Sequence, residues 1–276
     1  MAIRPIFVVT SDKRYCIREN VEFEFFSGFS DTQKRKSISS LHQEYLKKNK
    51  TKKILEISSK SEEELGIKLS AFNLMIKTKS GKEFSVESAF QSSKVFEKGG
   101  PYKDLLDVPS RVAKKDERLK SSGRVIGFSI DGKDFNTEPK TYFYNWLYIN
   151  TLHLNKELAV KIMEYDAFTD IAFNPQKSIN CQAEAAAIYV SLKKQGLLEE
   201  ALKDSNQFLV LRTTNSELRI RGNNSIRQWC AWEIGNFYTK HKEEKYYTSF
   251  YDKIEPRNDI LDTFRPMKEV VLGEIR

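Results

Sequence analysis

The most constraining feature of the chain is a helix-like stretch whose long polar side chains are confined to one stripe. In FSVESAFQSSKVFEKGGPY, residues 84–102, a spacing of about 100° per residue brings Glu87, Gln91, Lys94 and Lys98 into a narrow arc. The other positions are mostly apolar or serine, whereas a surface helix spreads its charged residues widely. The pattern therefore favours a helix that packs over most of its circumference and presents an acid, an amide and an amine along one stripe.

The composition is that of a globular protein with enough interior for a proper core. The 276 residues are 39% apolar and 12% aromatic, and no apolar run approaches the ~18 residues of a membrane span. The first residues lack the long apolar region of a secretion signal, so we expect a cytoplasmic protein with reduced cysteines and no membrane partner. The histidines are far apart and no Cys-x-x-Cys occurs, so we assign no metal and no cofactor.

The net charge of +8 is unevenly distributed along the chain. Residues 31–60 contain nine Lys or Arg against three acidic residues, and a second basic run covers 111–120. Because phosphate contacts supply most nonspecific affinity for nucleic acids, this pattern favours an anionic partner. The alternative is that loop lysines only keep the protein soluble.

The alternation of apolar residues predicts an α+β fold that is predominantly helical, with a few short strands. We expect strands in residues 6–11, 14–26 and 124–132, and a hairpin in 72–86 that turns at Ser80-Gly81. Helices are predicted in 37–49, in the 84–102 stretch, in 101–123 as two short pieces, in 142–165 with a break near Asn155, and in 180–196. Residues 1–204 are predicted to form the main domain, and 205–276 an extension packed on it as a hairpin plus a helix.

Two further segments have the composition of binding or catalytic sites. In residues 22–42, an aromatic bend that includes Phe29 precedes Lys34, Arg35 and Lys36 at a serine-rich helix start, which suits a phosphate. The alternative is a solvated loop followed by an ordinary helix cap.

The second segment, 165–186, holds Asp166, Asp170 and Asn180 in a loop between two apolar helices. Carboxylates on a loop held by rigid helices are well placed as general acids or bases. The alternative is that these polar side chains only cap helices and close turns.

The focal stretch resembles the signature helix of the NADAR family, which has the YbiA-like fold. The pattern Ser85-x-Glu87-x-x-Phe90-Gln91-x-x-Lys94-x-Phe96 is similar to that signature, although Ser88 stands where the family usually has histidine. VPSRVAKKDERL resembles the family's Pro-x-x-Ala-Lys segment, and LNKELAVKIME its Asn-x-x-Leu helix. The family's closing Asp-x-x-Trp-Gly is replaced by AFTDIAFNPQKSINCQA, which looks like the branch associated with DarT-type DNA-modifying toxins. The resemblance covers roughly residues 5–200.

This resemblance implies an ADP-ribose pocket and hydrolysis of the N-glycosidic bond between ADP-ribose and guanine in DNA. The implied partners are ADP-ribosylated DNA, ADP-ribose and a DarT-type toxin. Two alternatives stay open: an N-glycosidase for a phosphorylated riboflavin-pathway metabolite, and a noncatalytic module that binds ADP-ribose or nucleic acid.

The candidate site residues follow from the three segments and from this resemblance, which implies a buried helix that directs Glu87, Gln91 and Lys94 into one cleft. Lys94 is a candidate nucleophile that could form a Schiff base with the sugar, while Glu87 or Asp170 could instead stabilise an oxocarbenium-like transition state. The sequence does not choose between these routes. The substrate-binding candidates are Gln91, Lys34, Arg35, Lys36, Phe29, Gly100, Asp166 and Asn180.

Overall fold

The computed structural model describes residues 1–11, 15–28, 30–203, 205 and 208. They all fall within the compact unit Met1–Leu209. Apart from Ser205 and Phe208, the predicted C-terminal extension lies outside the described residues, so the division at residue 204 stays a prediction. No helix within these ranges combines the length and the apolar character needed to cross a membrane.

The strands of the described residues form three sheets. They are β1 (Ala2–Val8), β2 (Ile17–Phe23), β3 (Ile54–Glu56), β4 (Met75–Lys77), β5 (Glu83–Ser85), β6 (Lys94–Phe96), β7 (Val125–Ile130), β8 (Lys133–Phe135) and β9 (Ala167–Thr169). The largest sheet has the order β2-β1-β9-β3, the second pairs β4 with β5, and the third has the order β6-β7-β8.

The helices vary widely in length. They are α1 (Asp31–Lys48), α2 (Glu64–Lys68), α3 (Val86–Ser92), α4 (Ser110–Ala113), α5 (Arg118–Ser121), α6 (Tyr142–Leu154), α7 (Lys156–Lys161), α8 (Gln182–Lys194) and α9 (Leu198–Ala201), with 3₁₀ turns at Lys103–Asp107 and Ile162–Glu164. The predicted mixture of helices and short strands is confirmed. Its description as predominantly helical is not established, because strands contribute three separate sheets.

Helix α1 covers the largest sheet and starts earlier than the sequence suggested. Its apolar side chains Ile38 and Leu41 pack in one buried cluster with Ile6, Phe23 and Ala167 of the strands. The helix begins at Asp31 rather than Ser37, because the Ser30 hydroxyl caps it by accepting a hydrogen bond from the Gln33 N–H. The basic run 34–36 therefore lies within the first turns of the helix and not at its start.

A short parallel strand pair was not predicted from the sequence. Strand β3 pairs with β9 in parallel, and Glu56 lies beside Thr169 in the register. Three residues are too few for an apolar alternation to be visible, so residues 54–56 gave no strand signal. The pair places the ends of both strands, and the polar residues there, next to each other.

The predicted hairpin and helix break are both confirmed. Strands β4 and β5 pair in antiparallel fashion around the turn at residues 80–81. Helix α6 ends at Leu154, and the amide of Asn155 donates hydrogen bonds to the carbonyls of Met75 (3.0 Å) and Thr151 (2.8 Å). The same side chain therefore ends the helix and fixes it to the hairpin.

Helix α3 is the element that sequence analysis singled out, and all its residues are buried. The Phe90 ring packs against those of Phe128 at 5.6 Å and Tyr144 at 5.1 Å between centroids. The helix ends at Ser92, so the expectation that it carries Lys94 and Lys98 was wrong. The Ser92 hydroxyl donates to the last-turn carbonyl of Ala89, and the chain then continues as β6 along β7.

We expect that Gly66→Ala destabilises the protein by roughly 2 kcal/mol or more through overpacking. A β-carbon at this position of α2 would lie 2.0 Å from the Glu56 carbonyl oxygen and 2.4 Å from the Ser61 hydroxyl oxygen. Glu64→Ala, at an exposed position of the same helix, should change the free energy of unfolding by less than about 0.5 kcal/mol. Urea unfolding measures both, and equal stability of the two variants would contradict the predicted close packing at Gly66.

Candidate active site

A chain of hydrogen bonds joins the three residues that the polar stripe predicted to meet. The Gln91 amide donates to Oε1 of Glu87 at 2.9 Å, and its own oxygen accepts from the Lys94 ammonium at 2.8 Å. Glu87 and Gln91 lie one turn apart on α3, while Lys94 comes from the first position of β6. The predicted convergence of acid, amide and amine is therefore present, although two elements and not one helix provide it.

Lys94 is a half-buried residue whose ammonium packs against an aromatic ring. The ammonium lies 4.9 Å from the centroid of the Phe90 ring. Burial lowers the pKa of Lys94; the Glu87 charge opposes this shift and the Lys114 charge adds to it. A lysine with a lowered pKa has more of the neutral amine that acts as a nucleophile.

Lys114 covers the outer side of Glu87 and is a site residue that the sequence did not single out for a role. Its ammonium lies 3.3 Å from Oε1 of Glu87, and its side chain is 53% exposed against 6% for the glutamate. The same ammonium lies 4.9 Å from the centre of the Phe72 ring. Both Gln91 and Lys114 contact Oε1, and no described residue hydrogen-bonds Oε2 of Glu87.

A second carboxylate, Asp170, follows directly after β9. Its oxygens accept hydrogen bonds from the Ala172 N–H and from the Gln182 amide, both at 3.0 Å. Part of the residue is exposed, but burial of the carboxylate is the main cause that raises the pKa of Asp170 to about 7, followed by the charge of Glu56. Asp170 can therefore hold a proton near neutral pH and act as a general acid.

Glu56 is a buried acid that the sequence analysis missed. Its two oxygens accept hydrogen bonds from the Thr169 hydroxyl at 2.6 Å and from the Ile171 N–H at 2.9 Å. Burial raises the pKa of Glu56, and burial also lowers the pKa of His42 to about 4. The His42 ring nitrogen Nε2 lies 2.8 Å from the Thr169 hydroxyl, so a neutral imidazole, a hydroxyl and a carboxyl group form one buried chain.

The Gln182 side chain connects the Asp170 and Glu87 regions. Its amide N–H groups donate to Asp170 and, at 2.6 Å, to the Ile57 carbonyl. Its oxygen accepts from the Ala71 N–H at 2.7 Å, and the Ala71 carbonyl accepts from the Glu87 N–H at 2.8 Å. The sequence offered one signal for this role, a polar side chain at the start of an alanine-rich helix.

Three basic residues whose charges act on Asp31, namely Arg35, Lys60 and Arg111, form a group that we call the basic rim. Asp31 pairs with Lys60 at 2.7 Å, and the hydrogen bond from Lys60 is the main cause of the lowered pKa of Asp31. The charges of Arg35 and Arg111 contribute to the same shift. Arg111 belongs to α4, the helix that leads to Lys114, while Lys60 lies beyond Ser58, which hydrogen-bonds Glu56.

Lys34 and Lys36 have aromatic neighbours. Their ammonium groups lie 5.4 Å from the Phe25 ring centroid and 6.0 Å from that of Phe26, respectively. Phe29 lies outside the described residues. Arg35 is thus the member of the basic run that the structure connects to the rim.

The remaining substrate-binding candidates have positions of different kinds. Asp166 precedes β9 at the end opposite Asp170, where it accepts a hydrogen bond from the Lys53 N–H at 3.1 Å. Asn180 is half-buried beside Cys181, the N-cap residue of α8. Gly100 has φ +78, and a β-carbon there would lie 2.4 Å from the Lys94 carbonyl oxygen. The absence of a side chain at Gly100 therefore allows its backbone to approach that of Lys94 closely.

A separate cavity of about 380 Å³ lies between the β4–β5 hairpin and residues 106–110. It is lined on the α3 side by Ser85 and Ser88, and its lining does not include Glu87, Gln91 or Lys94. The Ser85 hydroxyl already hydrogen-bonds Ser110 at 2.7 Å. Buried charged and polar groups therefore converge at the Glu87 region and not at this cavity.

Within the described ranges, no cluster of three or more histidine, cysteine or acidic side chains could hold a metal ion. The site instead combines an amine of lowered pKa, a carboxyl group that can hold a proton near neutral pH and a basic rim. Groups of this kind are able to carry out nucleophilic or acid–base chemistry on an anionic substrate.

Comparison with known families identifies the family to which the chain belongs. Residues 2–220 match the family described as DarT1-associated NADAR antitoxin, and the chain belongs to that family. The resemblance identified in the sequence is thereby confirmed, and the match extends beyond the residues 5–200 that it covered. A search of curated proteins found no match.

Asp170 should make the stability of the protein depend on pH in a specific direction. Because its pKa rises from 3.8 to about 7 on folding, the folded protein retains a proton that the unfolded chain loses between these values. This contribution to stability is complete below the lower value and is lost as the pH rises through the upper one. We therefore expect Asp170→Asn to gain stability relative to the wild type, by a few kcal/mol, between about pH 5 and about pH 8.

Urea unfolding at both pH values measures this difference. Asp104→Asn is the matched control, because a hydrogen bond from Arg118 lowers the pKa of Asp104 and so moves its titration below this range. A stability difference between Asp170→Asn and wild type that does not change with pH would contradict the raised pKa.

Proposed function

We propose that the protein is a hydrolase that removes ADP-ribose from guanine in DNA and so opposes a DarT1-type toxin. Membership of the DarT1-associated NADAR antitoxin family supports the opposition to a toxin. The observation that carries the proposed chemistry is the chain of hydrogen bonds that joins Glu87, Gln91 and Lys94, in which Lys94 is a half-buried residue. A merely structural polar stripe would not need an amine whose pKa is lowered by burial.

In the favoured route, the neutral amine of Lys94 attacks the anomeric carbon of the ribose. The bond from that carbon to the guanine nitrogen breaks, its electron pair goes to the base, and a proton is supplied to the departing base. Asp170 is the acid proposed for this proton, because it holds one near neutral pH. The lysine adduct then opens to a Schiff base, which water hydrolyses to release ADP-ribose and the amine.

The basic rim supports a diphosphate-containing substrate. Arg35, Lys60 and Arg111 come from three separate segments, and the charges of all three act on Asp31. Guanidinium groups bind phosphate oxygens through paired, charge-assisted hydrogen bonds. Such a rim would hold the diphosphate while the ribose reaches Lys94.

The test is incubation of the protein with oligonucleotides that carry ADP-ribose on guanine or on thymine, followed by mass analysis of the products. We expect free ADP-ribose and unmodified oligonucleotide from the guanine adduct. Release from a phosphorylated riboflavin-pathway metabolite, but not from DNA, would favour the metabolite N-glycosidase. Saturable binding without any product would favour the noncatalytic module.

Lys94→Ala should abolish release of ADP-ribose without loss of the fold, because the amine is removed while its backbone pairing with β7 remains. Lys98→Ala is the matched control, since Lys98 lies in the exposed turn after β6 and outside the hydrogen-bonded sequence. Borohydride added during turnover should leave a mass adduct on Lys94 in the wild type. Turnover without an adduct would support the oxocarbenium route, and near-normal turnover by Lys94→Ala would remove the lysine from the chemistry.

The double variant Arg35→Ala with Arg111→Ala should raise KM for ADP-ribosylated DNA by roughly 10-fold or more, with a small change in kcat. The reason is that the rim binds the diphosphate and does not touch the reacting bond. Lys161→Ala, whose ammonium pairs with Glu157 at 2.8 Å, is the control. Steady-state kinetics on the same oligonucleotide measure both, and an unchanged KM in the double variant would exclude the rim as the diphosphate site.

A further inference from the structure

Tyr144 is a buried residue of α6 that neither the motif nor the proposed route uses. Tyr144 is 6% exposed. Its ring packs edge-on against that of Phe90, with 5.1 Å between the ring centroids and an interplanar angle of 87°. Its ring also lies 6.4 Å from that of Tyr148, one turn further along the helix. These contacts fix the ring beneath α3, next to the residue over which the Lys94 ammonium lies.

The charges of both carboxylate regions act on the Tyr144 hydroxyl. Burial is the main cause that raises the pKa of Tyr144 well above its usual value, and the charges of Glu87 and Asp170 add to the shift. The phenol therefore stays protonated and serves as a hydrogen-bond donor, not as a base.

This donor has no partner in the described part of the chain, although its neighbours on α6 do. The Tyr148 hydroxyl donates to the Leu69 carbonyl at 2.8 Å, and the Tyr142 hydroxyl donates to the Ser205 carbonyl. The Tyr144 hydroxyl is not one of the fully enclosed unpartnered polar atoms of the described residues, so it reaches solvent although the residue is only 6% exposed. An acceptor atom of a ligand can take the place of water at such a donor.

The complementarity of donors and acceptors indicates which ligand atom this is. The carboxylate oxygens of Glu87, including Oε2, accept hydrogen bonds and suit the hydroxyl groups of a ribose. The ring oxygen of a ribose carries no hydrogen, so it requires a donor. A protonated phenol supplies that donor, and the ring oxygen is bonded to the anomeric carbon that Lys94 would attack.

We infer that Tyr144 is a further catalytic residue, whose hydroxyl donates a hydrogen bond to the ribose ring oxygen of the bound ADP-ribosyl group. This inference rests on the proposed function and deepens it. The nitrogen that has bonded to the anomeric carbon is a secondary ammonium, and it first gives a proton to Asp170, which had passed its own proton to the departing base. The freed nitrogen lone pair then forms the C=N bond as the bond from that carbon to the ring oxygen breaks. The electron pair goes to the ring oxygen, which takes one proton from an acid such as Asp170, and the Tyr144 hydrogen bond stabilises the oxygen while its charge develops.

This role fits only one of the two chemical routes. An oxocarbenium-like transition state places positive charge on the ring oxygen, and a donor there would oppose it. Ring opening through a lysine adduct places negative charge on the same oxygen, and a donor there lowers the barrier. Removal of the Tyr144 hydroxyl should therefore slow ring opening through a lysine adduct but not the oxocarbenium route.

The test compares Tyr144→Phe with Tyr148→Phe, which remove one hydroxyl each from adjacent turns of α6. Tyr144→Phe should unfold at the same or higher urea concentration as the wild type, but its kcat should fall roughly 100-fold with little change in KM. Tyr148→Phe should lose stability, because the Leu69 carbonyl loses its donor, and should keep its kcat. A kcat for Tyr144→Phe within about 3-fold of the wild type would overturn the inference while leaving the proposed function in place.

Binding measurements distinguish a failure of this inference from a failure of the proposed reaction. If the wild type releases no ADP-ribose from any modified oligonucleotide, the proposed reaction fails, and calorimetric titration with free ADP-ribose then decides the role of Tyr144. Weaker binding by Tyr144→Phe than by wild type and Tyr148→Phe would support a contact between the hydroxyl and the sugar. Equal binding by all three proteins, or no binding by the wild type, would overturn it.

Discussion

The burial of the Glu87 carboxylate is the constraint on which the rest of the site depends. A glutamate residue that is 5% exposed within a fully buried helix needs donors and positive charges around its carboxylate. Gln91 meets this need from the same helix, Lys114 from α4, and Lys94 through the Gln91 amide from β6. Three elements are thereby fixed around one charge, and the amine proposed as nucleophile is positioned by the same contacts.

The two carboxylate regions have opposite surroundings, which suits them to different tasks. Glu87 lies beside two lysines, whereas Asp170 lies beside another acid, Glu56. The Gln182 amide and the Ala71 peptide group hold the regions in a defined relation without placing a charge between them. Different local surroundings give ionisable groups within one site different pKa values.

Sequence reasoning found the parts of the site that follow from local periodicity. Seven positions at about 100° each return to almost the same direction, so Glu87 and Lys94 were predicted on one side although the helix ends between them. The hairpin and the break at Asn155 were also local and were predicted correctly. Gln182 and Tyr144 were missed because their roles arise from contacts between residues far apart in the chain. Glu56 was missed because its strand is only three residues long.

The parallel pairing of β3 with β9 carries a consequence for how this site can vary among relatives. Glu56 and Thr169 are register partners at the ends of these strands, and Asp170 follows immediately. Successive residues of a strand point to opposite faces, so one inserted or deleted residue in either strand would turn an acid away from its partner. Side chains around the acids can be exchanged one at a time, whereas chain length across residues 54–58 and 167–171 should be nearly invariant. Gaps in these two segments would then mark relatives that have lost the acid pair, even where the Glu-x-x-x-Gln-x-x-Lys spacing is intact.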